Sequence, residues 1–146
     1  MLEASMVQEG VVSMAACIEG IELARFTLLG APRTKKNHSR VIKLRGTGIT
    51  RVIPSEAHEH WFARTVPQAR LIAARLRVPL AEPVAVKALF YRDRLLGDLV
   101  GFLQALGDLL EAARIIDDDK WISSWDGSRL LKDATTPRIE VAITRA

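Results

Sequence analysis

The chain has 146 residues, of which 49% are hydrophobic, and this is enough to fill the core of one domain. Its formal net charge of +4 is consistent with a nucleic-acid partner, although ribosomal, membrane-surface and solubility explanations remain open, and its single cysteine, Cys17, excludes an intrachain disulfide. No apolar run reaches the length of a membrane span, and Glu3 and Glu9 stand where a secretion signal would carry positive charge. We therefore predict a soluble, cytoplasmic protein.

Alternation of apolar and polar residues predicts the strands of a sheet. The predicted strands are Ile21–Leu29, Val41–Leu44, Ile49–Ile53, Val84–Tyr91 and Pro137–Thr144. Gly46-Thr47-Gly48 separates the second strand from the third and indicates a hairpin. Residues 1–20 precede this pattern and are expected to be a leader, either disordered or an oligomer contact. The folded domain is therefore expected over residues 21–146.

Two longer segments have helical periodicity. The first begins after Ser55, a suitable N-cap residue, and extends to about Leu76, with a kink or break expected at Pro67. The second is Asp98–Ala113, whose apolar stripe consists of Leu99, Phe102, Leu103, Leu106, Leu109, Leu110 and Ala113. Together the elements predict an α/β (α+β) domain in which a mixed β-sheet is packed by two main helices.

The other side of the second helix is rich in glycine. It is formed by Gly97, Val100, Gly101, Gln104, Gly107, Asp108 and Glu111. Each helical glycine costs about 1 kcal/mol relative to alanine, so three of them suggest that a bulky group approaches closely. We expect that group to be a DNA backbone or a partner helix; a merely weak helix is the alternative.

Charge is strongly separated along the chain. Between Arg33 and Arg51 there are seven Lys or Arg residues and no acid, whereas between Gly97 and Asp119 there are six acids and one Arg. Cations hold the phosphates of a nucleic acid, and clustered carboxylates hold the divalent ions that assist phosphodiester cleavage. The pattern indicates a protein that binds a nucleic acid and cuts it, although a basic loop and an acidic helix can also be two solvated surfaces.

An ordered set of motifs carries a family resemblance. In chain order the motifs are Gly30-x-Pro32, Thr34-Lys35-Lys36-Asn37, Pro54-Ser55 with Trp61, Gly97-Asp98-Leu99, Asp108, Ile116-Asp117-Asp118-Asp119 and Pro137–Val141. In order and spacing this set resembles RusA-type Holliday-junction resolvases, especially phage-borne ones. The resemblance covers about Phe26–Thr144, and it is the ordered set rather than any single motif that is specific.

The resemblance implies a symmetric homodimer that cleaves four-way DNA junctions during recombination and repair, with Mg²⁺ or Mn²⁺ as cofactor. The implied catalytic residues and metal ligands are Asp98, Asp119 and Asp118, with Asp117 as a further ligand. The implied DNA-binding residues are Arg33, Lys35, Lys36, Asn37 and Arg40. Two active sites in one dimer would nick the two strands of a junction.

The chain departs from the central family motif, Asp-x-Asp-Asn-x-x-Lys. Asp98 keeps the first aspartate, but Val100, Gly101 and Gln104 replace the second aspartate, the asparagine and the lysine. One metal ligand and one catalytic cation are therefore missing from their expected places, which predicts weakened cleavage. Asp108 is about 15 Å along the helix from Asp98, so we expect that these two carboxylates cannot share an ion.

Two other functions remain open at this stage. The first is a catalytically silent, RusA-like DNA-binding protein or regulator, which Val100 and Gln104 favour. The second is a dimeric protein-interaction module whose basic loop binds an acidic partner. A metal site at His58-Glu59-His60 is disfavoured, because two histidines that are two residues apart on a helix point in different directions.

Overall fold

The computed structural model describes residues 20–35, 40–43, 45–46, 48–53, 55–76 and 79–146. The strands are β1 (Glu22–Leu29), β2 (Arg40–Lys43), β3 (Thr50–Ile53), β4 (Val84–Arg92), β5 (Ile122–Ser124), β6 (Arg129–Lys132) and β7 (Arg138–Arg145). The helices are α1 (Glu56–Leu76) and α2 (Leu99–Ala112), with a 3-10 turn at Asp119–Trp121. The protein is a single α+β domain, as the sequence predicted. Residues 1–19 of the predicted leader lie outside the described residues.

The main sheet is mixed and has five strands. Its order is β1-β7-β4-β5, and β6 also pairs with β4. β7 is antiparallel to both β1 and β4, whereas β5 and β6 are parallel to β4. β5 pairs with the start of β4 and β6 with its end, so two short strands together form one edge. β2 and β3 form the separate antiparallel hairpin that the sequence predicted.

One face of the sheet packs against both helices and forms the core. Strict alternation along the three long strands β1, β4 and β7 places buried side chains on that face: Ala24, Phe26, Leu28, Val84, Val86, Ala88, Phe90, Ile139, Val141 and Ile143. Trp61 and Ala69 of α1 and Leu106 and Leu110 of α2 are buried in the same core. Side chains with period 2 on the strands therefore meet the apolar stripes of the helices.

α1 begins as predicted and then continues through its proline. The Ser55 hydroxyl accepts a hydrogen bond from the His58 backbone N–H at 3.2 Å, as an N-cap residue does. The helix extends from Glu56 to Leu76 with Pro67 inside it, so of the predicted kink or break the break does not occur. The apolar face, including Trp61 and Ala69, stays buried on both sides of the proline and holds the two parts in one helix.

The glycines of α2 face other segments of the same chain. A Cβ placed on Gly101 would lie 3.2 Å from Thr34 Cγ2, and one on Gly107 would lie 3.9 Å from the Cβ of Asp119. Gly97 precedes the helix and has φ +126°, a conformation suited to glycine. The groups expected to approach this side were DNA or a partner helix; at Gly101 and Gly107 the structure places loop segments of this protein there instead.

Candidate active site

A reversal of the chain after α2 brings the acidic run back to the helix. Arg114 adopts φ +64°, while the Ile115 N–H donates to the Leu110 carbonyl at 2.9 Å and the Arg114 N–H donates to the Glu111 carbonyl at 3.0 Å. This pairing is the Schellman motif, which ends a helix and reverses the chain. Because Ile115 and Ile116 are fully buried, the following aspartates are held at the surface beside α2.

Three carboxylates meet at this reversal. Glu111 of α2 and the two aspartates Asp118 and Asp119 each offer an oxygen, and the three oxygens lie within 4.8 Å of one another. Oxygen is the ligand atom that Mg²⁺ and Mn²⁺ prefer, so the donor set could hold such an ion. We call Glu111, Asp118 and Asp119 the acidic cluster.

The two aspartates of the acidic cluster differ in proton affinity. The Lys120 backbone N–H donates to the Asp118 carboxylate at 2.9 Å and lowers the pKa of Asp118. A hydrogen bond with the Asp118 side chain raises the pKa of Asp119, and burial and the charges of Asp118 and Asp108 raise it further. Carboxylates crowded in this way favour a proton or a cation between them. The residues present therefore fit a divalent ion.

Two of the predicted ligands lie apart from the acidic cluster. Asp98 is the N-cap of α2, where its carboxylate accepts from the Val100 N–H at 3.1 Å. Asp117 lies 3.6 Å from the Arg114 guanidinium. Among the described residues neither belongs to the group of three oxygens that could hold one ion. Glu111, which belongs to it, was predicted only as part of the polar side of the helix.

A groove beside the acidic cluster is lined by two of the three positions at which the family motif is changed. Its volume is about 440 Å³, and it is lined by Val100, Leu103, Gln104, Gly107, Asp119, Ile122 and Trp125. Val100 is 64% exposed despite being apolar. Gly101 is buried instead and lies beside Thr34. Two of the three changed positions therefore share one groove with Asp119.

The basic loop reaches the same side of the protein through Lys35. Its ammonium lies 2.6 Å from Asp108 Oδ2, with side chains 46% and 27% exposed. Asp108 Oδ2 is buried and has no hydrogen-bond partner of good geometry, so this contact is an ion pair. Arg33 is exposed. Lys36 and Asn37 lie outside the described residues, and Arg40 begins β2.

His58 links the loop to the core and was not predicted to have a role. It is 3% exposed, and its Nδ1 lies 3.4 Å from the Arg33 carbonyl oxygen. Burial is the main cause that lowers the pKa of His58. Its ring also packs against Trp61 and Phe62 at centroid distances of 5.7 and 5.8 Å. His58 therefore supports the backbone from which Lys35 extends.

No protein-family model matches this chain, and no curated protein matches it significantly. The resemblance to RusA-type resolvases thus rests on the ordered motifs alone. In the part of the chain that the structure describes, no helix is long and apolar enough to cross a membrane.

Proposed function

We propose that this protein is a RusA-like, homodimeric endodeoxyribonuclease that binds four-way DNA junctions and uses Mg²⁺ or Mn²⁺ in recombination and repair. One observation carries the proposal. Asp119, which is far in sequence from Val100 and Gln104, lines the same groove as these two positions of the central motif. The resemblance predicts that those positions belong to one active site, and the fold supports it by bringing them together.

The acidic cluster is the proposed metal centre. Glu111, Asp118 and Asp119 would hold the ion, and Asp108 adds negative charge beside Asp119. A bound Mg²⁺ would act as a Lewis acid on the oxygens of a phosphodiester. Asp98 would not bind the ion; its role would be to stabilise the first turn of α2 as the N-cap residue. The carboxylate missing at Val100 is not restored at its own place; Glu111, about three helical turns further along α2, would instead supply the third carboxylate to an ion held near the other end of the helix.

The basic loop is the proposed DNA-binding surface. Of the loop cations that the structure describes, Lys35 contacts Asp108 on the polar side of α2. The Lys35 ammonium therefore lies on the same side of the protein as the acidic cluster. Cleavage requires both, because the carboxylates would hold the metal ion and the ammonium would attract the DNA phosphate. The lysine that the family carries at the position of Gln104 would be replaced in part by Lys35, which comes from another segment.

The deciding experiment is a nicking assay on a synthetic four-way junction with Mg²⁺ or Mn²⁺. We expect slow cleavage that Asp119→Asn and Glu111→Gln abolish. Asp126→Asn is the matched control, because Asp126 is an exposed aspartate in the next turn. A rate that is unchanged in Asp119→Asn and Glu111→Gln would disprove the proposed metal centre.

A silent DNA-binding relative is the second candidate. Val100 and Gln104 favour it, because they give the groove an apolar side chain and a neutral amide where the family has a carboxylate and an ammonium. The assay separates the candidates: tight junction binding without nicking in either metal, at matched folded fraction, identifies the silent protein.

A further inference from the structure

A second charged cavity lies at the opposite end of α2 from the acidic cluster. Its volume is about 190 Å³, and its lining residues include Arg33 of the loop, Arg92 at the end of β4, Arg94, Gly97 and Phe102. Gly97 and Glu111 are fourteen residues apart, which corresponds to about 21 Å along a helix. We call this cavity the arginine pocket; it is separate from the proposed metal centre.

Arg92 is held in the arginine pocket with one donor unused. Its Nη1 donates to the Leu96 carbonyl, and its guanidinium lies 4.8 Å from the centre of the Phe102 ring. Its Nε is buried and has no hydrogen-bond partner. A guanidinium has five N–H donors in a rigid plane, and a buried donor without an acceptor is costly. An acceptor in the cavity could pair with this N–H after a shift of the neighbouring side chains, and it would then remove that cost.

The positive charges around Arg92 also favour the binding of an anion. Burial is the main cause that lowers the pKa of Arg92, and the positive charge of Arg33 lowers it further; the opposing effect of Asp93 exceeds the lowering by Arg94. Asp93 lies 3.7 Å from Arg94 and compensates part of that charge. No Asp or Glu is among the described residues that line the cavity. Three cations thus line a small cavity whose described lining contains no carboxylate, and Asp93 pairs with one of them.

We propose that the arginine pocket binds a phosphate group, with Arg92 as the central ligand and Arg33 and Arg94 at its rim. The planar guanidinium fork matches two phosphate oxygens, which favours phosphate over a spherical anion. The volume is below the roughly 300–1,000 Å³ of pockets for drug-sized ligands, so a single small group fits better than a large molecule. The phosphate is either a free ion or, if the proposed function holds, a backbone phosphate of DNA.

A purely structural role for Arg92 makes a different prediction. The contacts with Leu96 and Phe102 would then serve only to hold the loop between β4 and α2. In that case substitutions would lower stability, but the response of the protein to phosphate would be unchanged. Arg94 separates the two roles, because its side chain is 74% exposed and its removal leaves the contacts of Arg92 in place.

The test measures thermal stabilisation of the full chain by inorganic phosphate, with chloride at equal ionic strength as the reference. Phosphate should raise the melting temperature, and Arg92→Gln and Arg94→Gln should each weaken the phosphate response, Arg92→Gln by at least about tenfold in affinity. Arg75→Gln is the control, because Arg75 is exposed and about 27 Å along α1 from Ala57, which also lines the arginine pocket. A phosphate response equal to that of chloride, or one that both pocket variants retain, would overturn the proposal.

Junction binding in the same variants identifies the source of the phosphate. If the pocket holds a DNA phosphate, Arg94→Gln should reduce the logarithmic salt slope of binding by about 0.9, while Arg75→Gln leaves it unchanged. If the slope is unchanged but the phosphate response is lost, the ligand is free phosphate. Neither result depends on cleavage, so failure of the nuclease proposal is seen separately in the nicking assay.

Discussion

The Lys35 ammonium lies 2.6 Å from Asp108 Oδ2, so the basic loop and the polar side of α2 are in direct contact. These residues belong to two stretches of opposite charge that are far apart in the sequence. The pair is partly exposed, and such ion pairs contribute about 0–1 kcal/mol. Its importance is therefore in placing a cation beside the acidic cluster more than in stability.

The ion pair between Lys35 and Asp108 predicts that substitutions of its two partners change the affinity for a junction in opposite directions. Lys35→Met should weaken binding and reduce the logarithmic salt slope by about 0.9, because one phosphate contact is lost. Asp108→Asn should strengthen binding by up to about fivefold, because Lys35 is no longer neutralised. Fluorescence anisotropy over a range of salt concentrations measures both. Lys132→Met, at an exposed lysine of β6, is the control, and equal effects of Lys35→Met and Lys132→Met would contradict the prediction.

The acidic cluster predicts a metal-dependent gain in stability. Mg²⁺ or Mn²⁺ should raise the melting temperature of the wild type, and Asp119→Asn and Glu111→Gln should each remove that rise, because binding to the native state alone stabilises it. Without metal, Asp119→Asn should be more stable than the wild type near neutral pH. The raised pKa of Asp119 means that folding disfavours its charged form, and asparagine is uncharged.

Asp117→Asn is the control for this prediction, since Asp117 pairs with Arg114 outside the acidic cluster. Its metal response should match that of the wild type. If Asp117→Asn loses the response and Asp119→Asn keeps it, the ion is bound elsewhere in the acidic run.

The changed motif positions predict a route to faster cleavage. Val100→Asp combined with Gln104→Lys adds a carboxylate and an ammonium to the groove that contains Asp119. Single donors at developing charge are worth roughly 10²–10³-fold in rate, so we expect an increase of that order. Val100 is 64% exposed and lies in the first turn of α2, where the helix dipole favours negative charge.

Val100→Asn with Gln104→Met is the uncharged control for the same two positions. It should leave the nicking rate on a four-way junction near that of the wild type. A wild type that already cuts rapidly, with no gain from the charged pair, would show that the site uses other residues.

His58 predicts a loss of stability on mild acidification. Because burial lowers its pKa in the folded state, the unfolded chain binds the proton more readily, and stability falls as the pH decreases through the unfolded value of about 6.5. The melting temperature should fall less between about pH 7.5 and 5.5 in His58→Gln than in the wild type. His60→Gln, at an exposed histidine of α1, should retain the wild-type fall. Identical falls in both variants would refute the prediction.

The glycines near α2 should respond differently to alanine. Gly107→Ala should stabilise the protein by about 1 kcal/mol, because helix propensity rises and the new Cβ meets neighbours at 3.9 Å or more. Gly97→Ala should destabilise it, since φ is +126° and the Cβ would lie 2.6 Å from a Phe102 ring carbon. Chemical denaturation measures both changes. A loss of stability in Gly107→Ala would indicate a tighter contact than the structure contains.

The regular elements with strong periodicity were predictable from the sequence. β1, β4, β7, α1 and α2 agree with prediction to within a few residues, since burial of one face imposes period 2 on strands and 3.6 on helices. β5 and β6 were missed. They have three and four residues, and their parallel pairing with β4 depends on the path of the chain rather than on local alternation.

The sequence by itself determined the core, the helix cap at Ser55, and the separation of basic from acidic stretches, because these depend on neighbouring residues. Only the tertiary structure decided which carboxylates meet. The reversal at Arg114 brings Asp118 and Asp119 to Glu111 and leaves Asp98 at the other end of α2. Spacing along a chain constrains distances within one element, whereas contacts between elements depend on how the chain turns and packs.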